Sequence, residues 1–123
     1  MASVRYLVRD VDQAVACYQR LGFSLRQQFG PAMAIMARED LTLWLAGPRA
    51  SAARPMPDGR TPEPGGWNRF VLTVTDLAAL VRTLREQGMP FRNDIVEGPG
   101  GRQILCEDPS GNVVELFEPA SPG

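Results

Sequence analysis

The sequence has no histidine among its 123 residues. That absence removes the Ser-His and Cys-His relays, the imidazole general base and every imidazole metal ligand, and with them the one side chain that titrates near neutrality unaided. Any chemistry must rest on carboxylates, guanidinium groups, phenols, thiols or a bound cofactor, or be absent. Cysteine is scarce. Cys17 and Cys106 are far apart, each in an apolar context, and read as two buried thiols in a reducing cytoplasm rather than a disulfide framework. No apolar run approaches the roughly 20 residues that a membrane helix needs. Charge of one sign is also missing: 13 basic and 14 acidic residues leave a formal charge of −1, which gives no electrostatic case for nucleic acid. The first nine residues already read as part of a strand, so no leader is expected ahead of it.

What is present is ordinary globular material, 44% hydrophobic and 22% charged, enough for one domain or two small halves sharing a core. Ser3–Val8 is rich in β-branched and aromatic residues and reads as a strand. Asp10-Val-Asp-Gln13 has the form of a capping box, and Val11, Val15, Tyr18 and Leu21 give a helical apolar stripe that Gly22 ends. Strands are expected over Phe23–Phe29, Ala32–Arg38 and Leu41–Ala46. Residues 47–66 hold Pro48, Pro55, Pro57, Pro62 and Pro64 without apolar periodicity and read as a linker or long surface loop. The pattern then restarts: a strand over Trp67–Val74, a helix capped by Asp76 and stopped by Gly88, and strands over Phe91–Glu97, Arg102–Cys106 and Asn112–Glu118.

The restart is an internal repeat. Val8-Arg9-Asp10 recurs as Val74-Thr75-Asp76, and Gly22 as Gly88, each 66 positions on. Leu43-Trp44-Leu45 followed by Pro48 recurs as Val114-Glu115-Leu116 followed by Pro119, 71 positions on. Each half is therefore read as β-α-β-β-β, with residues 1–48 as the first module, 49–66 as the Pro-rich loop, 67–119 as the second module and 120–123 as a tail. Neither copy is large enough to bury a sheet face alone, so the halves are expected to share a concave surface.

Val8-Arg-Asp10 opening a helix that ends Leu21-Gly-Phe23, together with the closing Asp108-Pro-Ser-Gly-Asn-Val-Val-Glu-Leu-Phe-Glu118, resembles the vicinal oxygen chelate superfamily, which includes glyoxalase I, bleomycin resistance proteins and extradiol dioxygenases. The resemblance covers nearly the whole chain. It implies an α+β fold, two βαβββ modules whose mixed sheet curls around a cup-shaped cavity, and a homodimer. In the family's metalloenzymes the ligands come from the first and last strand of each module. Carried over position by position, those places hold Ser3, Trp44, Arg69 and Glu115. Divalent catalytic ions need imidazole, thiolate or carboxylate donors, and only Glu115 qualifies, while Arg69 puts a permanent cation where the ion would stand. Neither metal nor other cofactor is expected.

Strand alternation then suggests the cavity lining. Ser3 brings Arg5 and Leu7; Arg69 brings Trp67, Val71 and Thr73; Glu115 brings Val113 and Phe117; Trp44 brings Thr42 and Ala46. Arg102 and Gln103 follow the Gly98-Pro-Gly-Gly101 turn toward the rim, with Asn68 and Asn93 as further rim donors. Aromatic walls with a few polar anchors are the composition of a small-molecule site. The candidate ligand-binding residues are Arg5, Trp44, Trp67, Arg69, Gln103, Glu115 and Phe117. Trp44 and Trp67 would either stack on a flat ligand or fill the cup as core. Arg69 and Glu115 would form a buried ion pair, anchor a ligand's carboxylate, phenol or carbonyl, or do both. No catalytic residue is assigned; Cys106 lacks a partner base, and Asp108-Pro-Ser-Gly-Asn112 reads as a turn.

Two functions compete. The first is a cytoplasmic, metal-independent protein that sequesters a flat aromatic antibiotic or natural product, as the bleomycin resistance branch does. The second is a glyoxalase-type lyase or isomerase acting on a small oxygenated metabolite, with Glu115 as its base. The missing histidine and metal ligands lean the reading away from an enzyme, with no nucleic acid or membrane as partner.

Overall fold

Both helices begin at an aspartate. In the computed structural model, which describes residues 2–121, the Asp10 carboxylate accepts the Gln13 N–H at 2.9 Å and starts α1 (Val11–Arg20). The Asp76 carboxylate accepts the Ala79 N–H at 3.2 Å and starts α2 (Leu77–Glu86). Each carboxylate satisfies a backbone donor that the first helical turn would otherwise orphan. Gly22 and Gly88 follow the helix ends at φ +92° and +84°, the left-handed backbone that closes a helix and that a Cβ would penalise. Residues 1, 122 and 123, which include half of the expected tail, lie outside the described residues.

The chain forms two compact units, Met1–Gly65 with Pro109–Asn112, and Gly66–Asp108 with Val113–Gly123. The first carries β1 (Val4–Leu7), α1, β2 (Ser24–Phe29), β3 (Met33–Arg38) and β4 (Leu41–Ala46) in a sheet ordered β1-β4-β3-β2. The second carries β5 (Val71–Thr73), α2, β6 (Val96–Gly98), β7 (Gly101–Glu107) and β8 (Val113–Pro119), ordered β5-β8-β7-β6. In each sheet the first strand runs parallel to the last and the remaining pairs are antiparallel. This is an α+β architecture of two βαβββ modules. The register bears out the repeat: Arg5 pairs with Trp44 across β1 and β4, and Val71 pairs with Glu115 across β5 and β8. Those are the same two places in each copy.

One face of each sheet is covered by its helix. In the first unit the apolar stripe Val11, Ala14, Val15 and Tyr18 packs on Ala34, Met36, Leu43 and Leu45, all four of which are fully buried. Tyr18 meets Phe23 edge to face, with ring centroids 5.5 Å apart. In the second unit Leu77, Val81 and Leu84 cover Leu72, Ile104, Cys106, Val114 and Leu116. Each buried Leu or Ile contributes roughly 2 kcal/mol by its removal from water. Both cysteines are buried thiols within these layers.

Two expected strands are shorter than the alternation suggests. Of Trp67–Val74 only Val71–Thr73 is strand, since Gly65 and Gly66 enter it at positive φ and the segment is an edge with one sheet neighbour, β8. Of Phe91–Glu97 only Val96 and Glu97 are strand, in β6, which runs on to Gly98. The Asn93 side-chain oxygen accepts the Leu105 N–H at 3.0 Å, a place that a strand carbonyl would otherwise take, and only Phe91 bridges to Cys106.

Asp108-Pro-Ser-Gly-Asn112 is more than a turn. Asn112, 4% exposed, donates from Nδ2 to the Leu7 carbonyl at 2.6 Å and accepts the Gly65 N–H on Oδ1 at 2.7 Å. Ser110 accepts the Arg9 N–H on Oγ at 2.8 Å, and its carbonyl accepts Nη1 of Arg9 at 3.2 Å. One asparagine thus fastens the end of β1 and the end of the Pro-rich loop, using both ends of its amide. Asn112→Ala strands a backbone acceptor and a donor, and should cost about 2 kcal/mol in urea unfolding.

Glu118 does a second piece of capping. Its Oε1 accepts the Leu77 N–H at 2.9 Å, and its Oε2 accepts from Arg102 at 2.8 and 3.2 Å. The Leu77 amide first, and Arg102 second, hold its carboxyl below the ordinary carboxylate range. A depressed carboxyl stabilises the fold above its unfolded pKa and loses that contribution as pH falls through the folded one. Glu118→Gln should therefore unfold at lower urea than the parent at pH 7, with the gap closing below about pH 4.

Candidate functional site

Alternation along β8 sends Val114 and Leu116 toward α2 and Val113, Glu115 and Phe117 to the opposite face. Glu115 is thereby an acidic side chain only 10% exposed, and a carboxylate this deep needs a partner. Arg69 supplies it: Nε and Nη2 donate to Oε1 at 3.0 and 2.8 Å. Nη1 of the same guanidinium donates to the Trp67 carbonyl at 3.4 Å. Arg69 lies outside β5, so this pairing, rather than a strand ladder, sets its place.

Trp67 stands 69% exposed, an unusual position for an indole. The guanidinium of Arg92 lies over its ring, 4.4 Å from the centroid. Arg92 is itself held: Nε donates to Glu107 at 2.8 Å and Nη1 donates to the Gly66 carbonyl at 2.8 Å. The exposed indole therefore rests on a fixed cation.

Register places the remaining residues of this face. Leu105 and Val71 flank Glu115, Gln103 and Thr73 flank Phe117, and Val96 pairs with Gln103. Val71 and Val96 are 49% and 47% exposed. Of the residues expected at a ligand, Trp67, Arg69, Gln103, Glu115 and Phe117 all belong to the second unit and share this side of its sheet. Arg5 and Trp44 belong to the first unit, where the Arg5 guanidinium lies 5.0 Å from the indole centroid and Ile35 flanks Trp44 on β3.

Some expectations do not survive. Arg102, expected beside Gln103, turns to the opposite face of β7 and pairs with Glu118, because neighbours on a strand alternate. Asn93 accepts the Leu105 N–H on Oδ1, which leaves its Nδ2 as the donor expected of it. Arg92 and Glu107 were missed. Extending the alternation from Gln103 by four residues would have placed Glu107 on this face, whereas Arg92 lies in an irregular stretch with no periodic signal.

The donor set does not suit a divalent ion. At the family's metal positions, Ser3 and Trp44 in the first unit carry no carboxylate, thiolate or imidazole, and Glu115 in the second is paired to Arg69. Among the described residues no group of three or more His, Cys, Asp or Glu side chains is arranged to hold a metal. All 13 basic residues are arginine, so the chain has no lysine amine for a Schiff base and its cations are permanent. No described helix is long and apolar enough to cross a membrane.

The fold is shared with proteins of several activities. Over 98% of this chain and 97% of the other, it is similar to TnmS3, an antibiotic binding protein from Streptomyces sp. CB03234, at 26% identity and a TM-score of 0.68. A bleomycin-binding protein solved with bleomycin aligns over 98% of both chains, at 23% identity and a TM-score of 0.65. A lactoylglutathione lyase from Agrobacterium tumefaciens aligns over 96% of this chain and 92% of its own, at 20% identity and a TM-score of 0.73. Among curated protein sequences none matches. The family model for glyoxalase, bleomycin resistance protein and dioxygenase matches residues 1–116, so the chain belongs to the glyoxalase/bleomycin resistance protein/dioxygenase superfamily.

Proposed function

We propose that this protein binds a flat aromatic small molecule, an antibiotic or natural product, without a metal and without chemical conversion, and acts by sequestering it. The observation that carries the reading is Trp67: a 69% exposed indole braced on one side by Arg92 and set beside the Arg69–Glu115 pair. A soluble domain gains nothing in stability by exposing its largest apolar side chain, whereas an immobilised indole is a ready stacking surface that loses little entropy on binding. Gln103 and Phe117, on the same face, supply a polar anchor and a second aromatic edge. The first unit has its own indole, Trp44, under the Arg5 guanidinium. The similarity to the antibiotic binding protein TnmS3 supports the same class of ligand.

The lyase or isomerase alternative needs a proton-accepting group and an activated oxygen. The chain offers no histidine or lysine, and its best-placed carboxylate is already engaged by a guanidinium. Those facts favour binding. The reading includes a homodimer, as the family resemblance implies, and a cytoplasmic location, as two buried free thiols suggest; a single-chain mass in sedimentation velocity removes the dimer from it.

Equilibrium dialysis against a panel of flat aromatic antibiotics, with and without EDTA, tests the proposal. Trp67→Ala should weaken the best ligand about tenfold or more, the scale of one lost stacking partner, and EDTA should change nothing. In Trp44→Phe, whose fluorescence comes from Trp67, the ligand should quench the emission. Undiminished affinity in Trp67→Ala, or binding abolished by EDTA, contradicts the reading.

A further inference from the structure

Resting on that binding role, the hydrogen bonds of Glu115 name the kind of ligand. Both bonds from Arg69 land on Oε1. Among the described residues Oε2 accepts none, and it is not sealed off, since no buried side-chain oxygen is left without a partner. A carboxylate 90% buried therefore keeps one oxygen held and presents the other as an unused acceptor. It does so on the face that carries Val71, Leu105 and Phe117. Open to water in the free protein, that oxygen offers a charged acceptor to any ring-borne donor that displaces the water there.

The cations of the same face point the same way. Arg69 is matched by Glu115 and Arg92 by Glu107, two positive charges against two negative ones. An anionic ligand would find each guanidinium already paired and would stand near a carboxylate oxygen. We infer that the ligand is an aromatic molecule, neutral or cationic, carrying a hydrogen-bond donor such as a phenolic O–H or a ring N–H, and that Oε2 of Glu115 accepts that donor while the ring lies on Trp67. Arg69 then serves as a positioning residue: it fixes Oε1 and so aims Oε2, and does not itself hold a ligand carboxylate.

Three bicyclic probes separate the possibilities: 2-naphthol, 2-methoxynaphthalene and 2-naphthoate, each titrated by NMR against the full chain at pH 7. The expected order is naphthol first, with the methoxy analogue about tenfold weaker, the scale of one hydrogen bond to a charged acceptor, and naphthoate weaker still. Because Glu115→Leu alone strands Arg69, the variant to use is Arg69→Leu/Glu115→Leu, which replaces the pair with apolar groups that can keep the fold. In it naphthol and methoxynaphthalene should bind equally. Equal binding of the two by the parent protein, a naphthol preference that persists in the double variant, or tightest binding of naphthoate overturns the inference and leaves the stacking role standing. Failure of all three probes to shift the Trp67 indole overturns both.

Discussion

The deep carboxylate of Glu115 is the constraint on which the site depends. A charge at that depth is tolerated only with a partner, and the partner available is Arg69, in the irregular segment just before β5. That bond places Arg69, and a further bond from Arg69 restrains the Trp67 backbone. Trp67, thus placed, stacks with Arg92, whose own position is set by Glu107 and the Gly66 carbonyl. The chain of dependence runs from one buried acid to an exposed indole, each step a directional polar contact. The apolar core beneath α2 supplies the rigid sheet on which this is built, but would be indifferent to whether the indole faced solvent.

The two repeats show how one geometry diverges. Trp44 and Glu115 occupy the same place beside the first strand of their sheet. In the first unit that place holds an indole under Arg5; in the second it holds a carboxylate under Arg69. Each copy answers an aromatic or acidic group with a guanidinium, and arginine alone does this work in a chain without lysine or histidine. Cations that cannot deprotonate suit fixed recognition and give no route for proton transfer at neutral pH.

Much of this was legible from the sequence. Asp10 and Asp76 announced the helices, Gly22 and Gly88 their ends, and the repeat offsets matched Trp44 with Glu115, an equivalence that the register bears out. The Arg69–Glu115 meeting followed from the family positions. What was not legible depended on side chains that replace backbone partners. Asn93 takes an amide that a strand would have taken, so of the strand expected over 91–97 only Val96 and Glu97 form one, and Arg92 is released to reach Trp67. Asn112 likewise looks like any turn residue until its two amide ends are seen fastening Leu7 and Gly65. Periodicity reports which face a residue occupies, and it carries no information on such substitutions of partner.

On this reading an aromatic ligand is held on the second unit by stacking and a direct hydrogen bond, with no metal between them. The decisive measurement is a crystal structure of the complex with the tightest ligand from the aromatic panel, grown in excess chelator. The ring should lie on the Trp67 indole, with a ligand donor within hydrogen-bond distance of Oε2 of Glu115. A metal ion bridging Glu115 and the ligand, or a ligand seated away from Trp67, would contradict it.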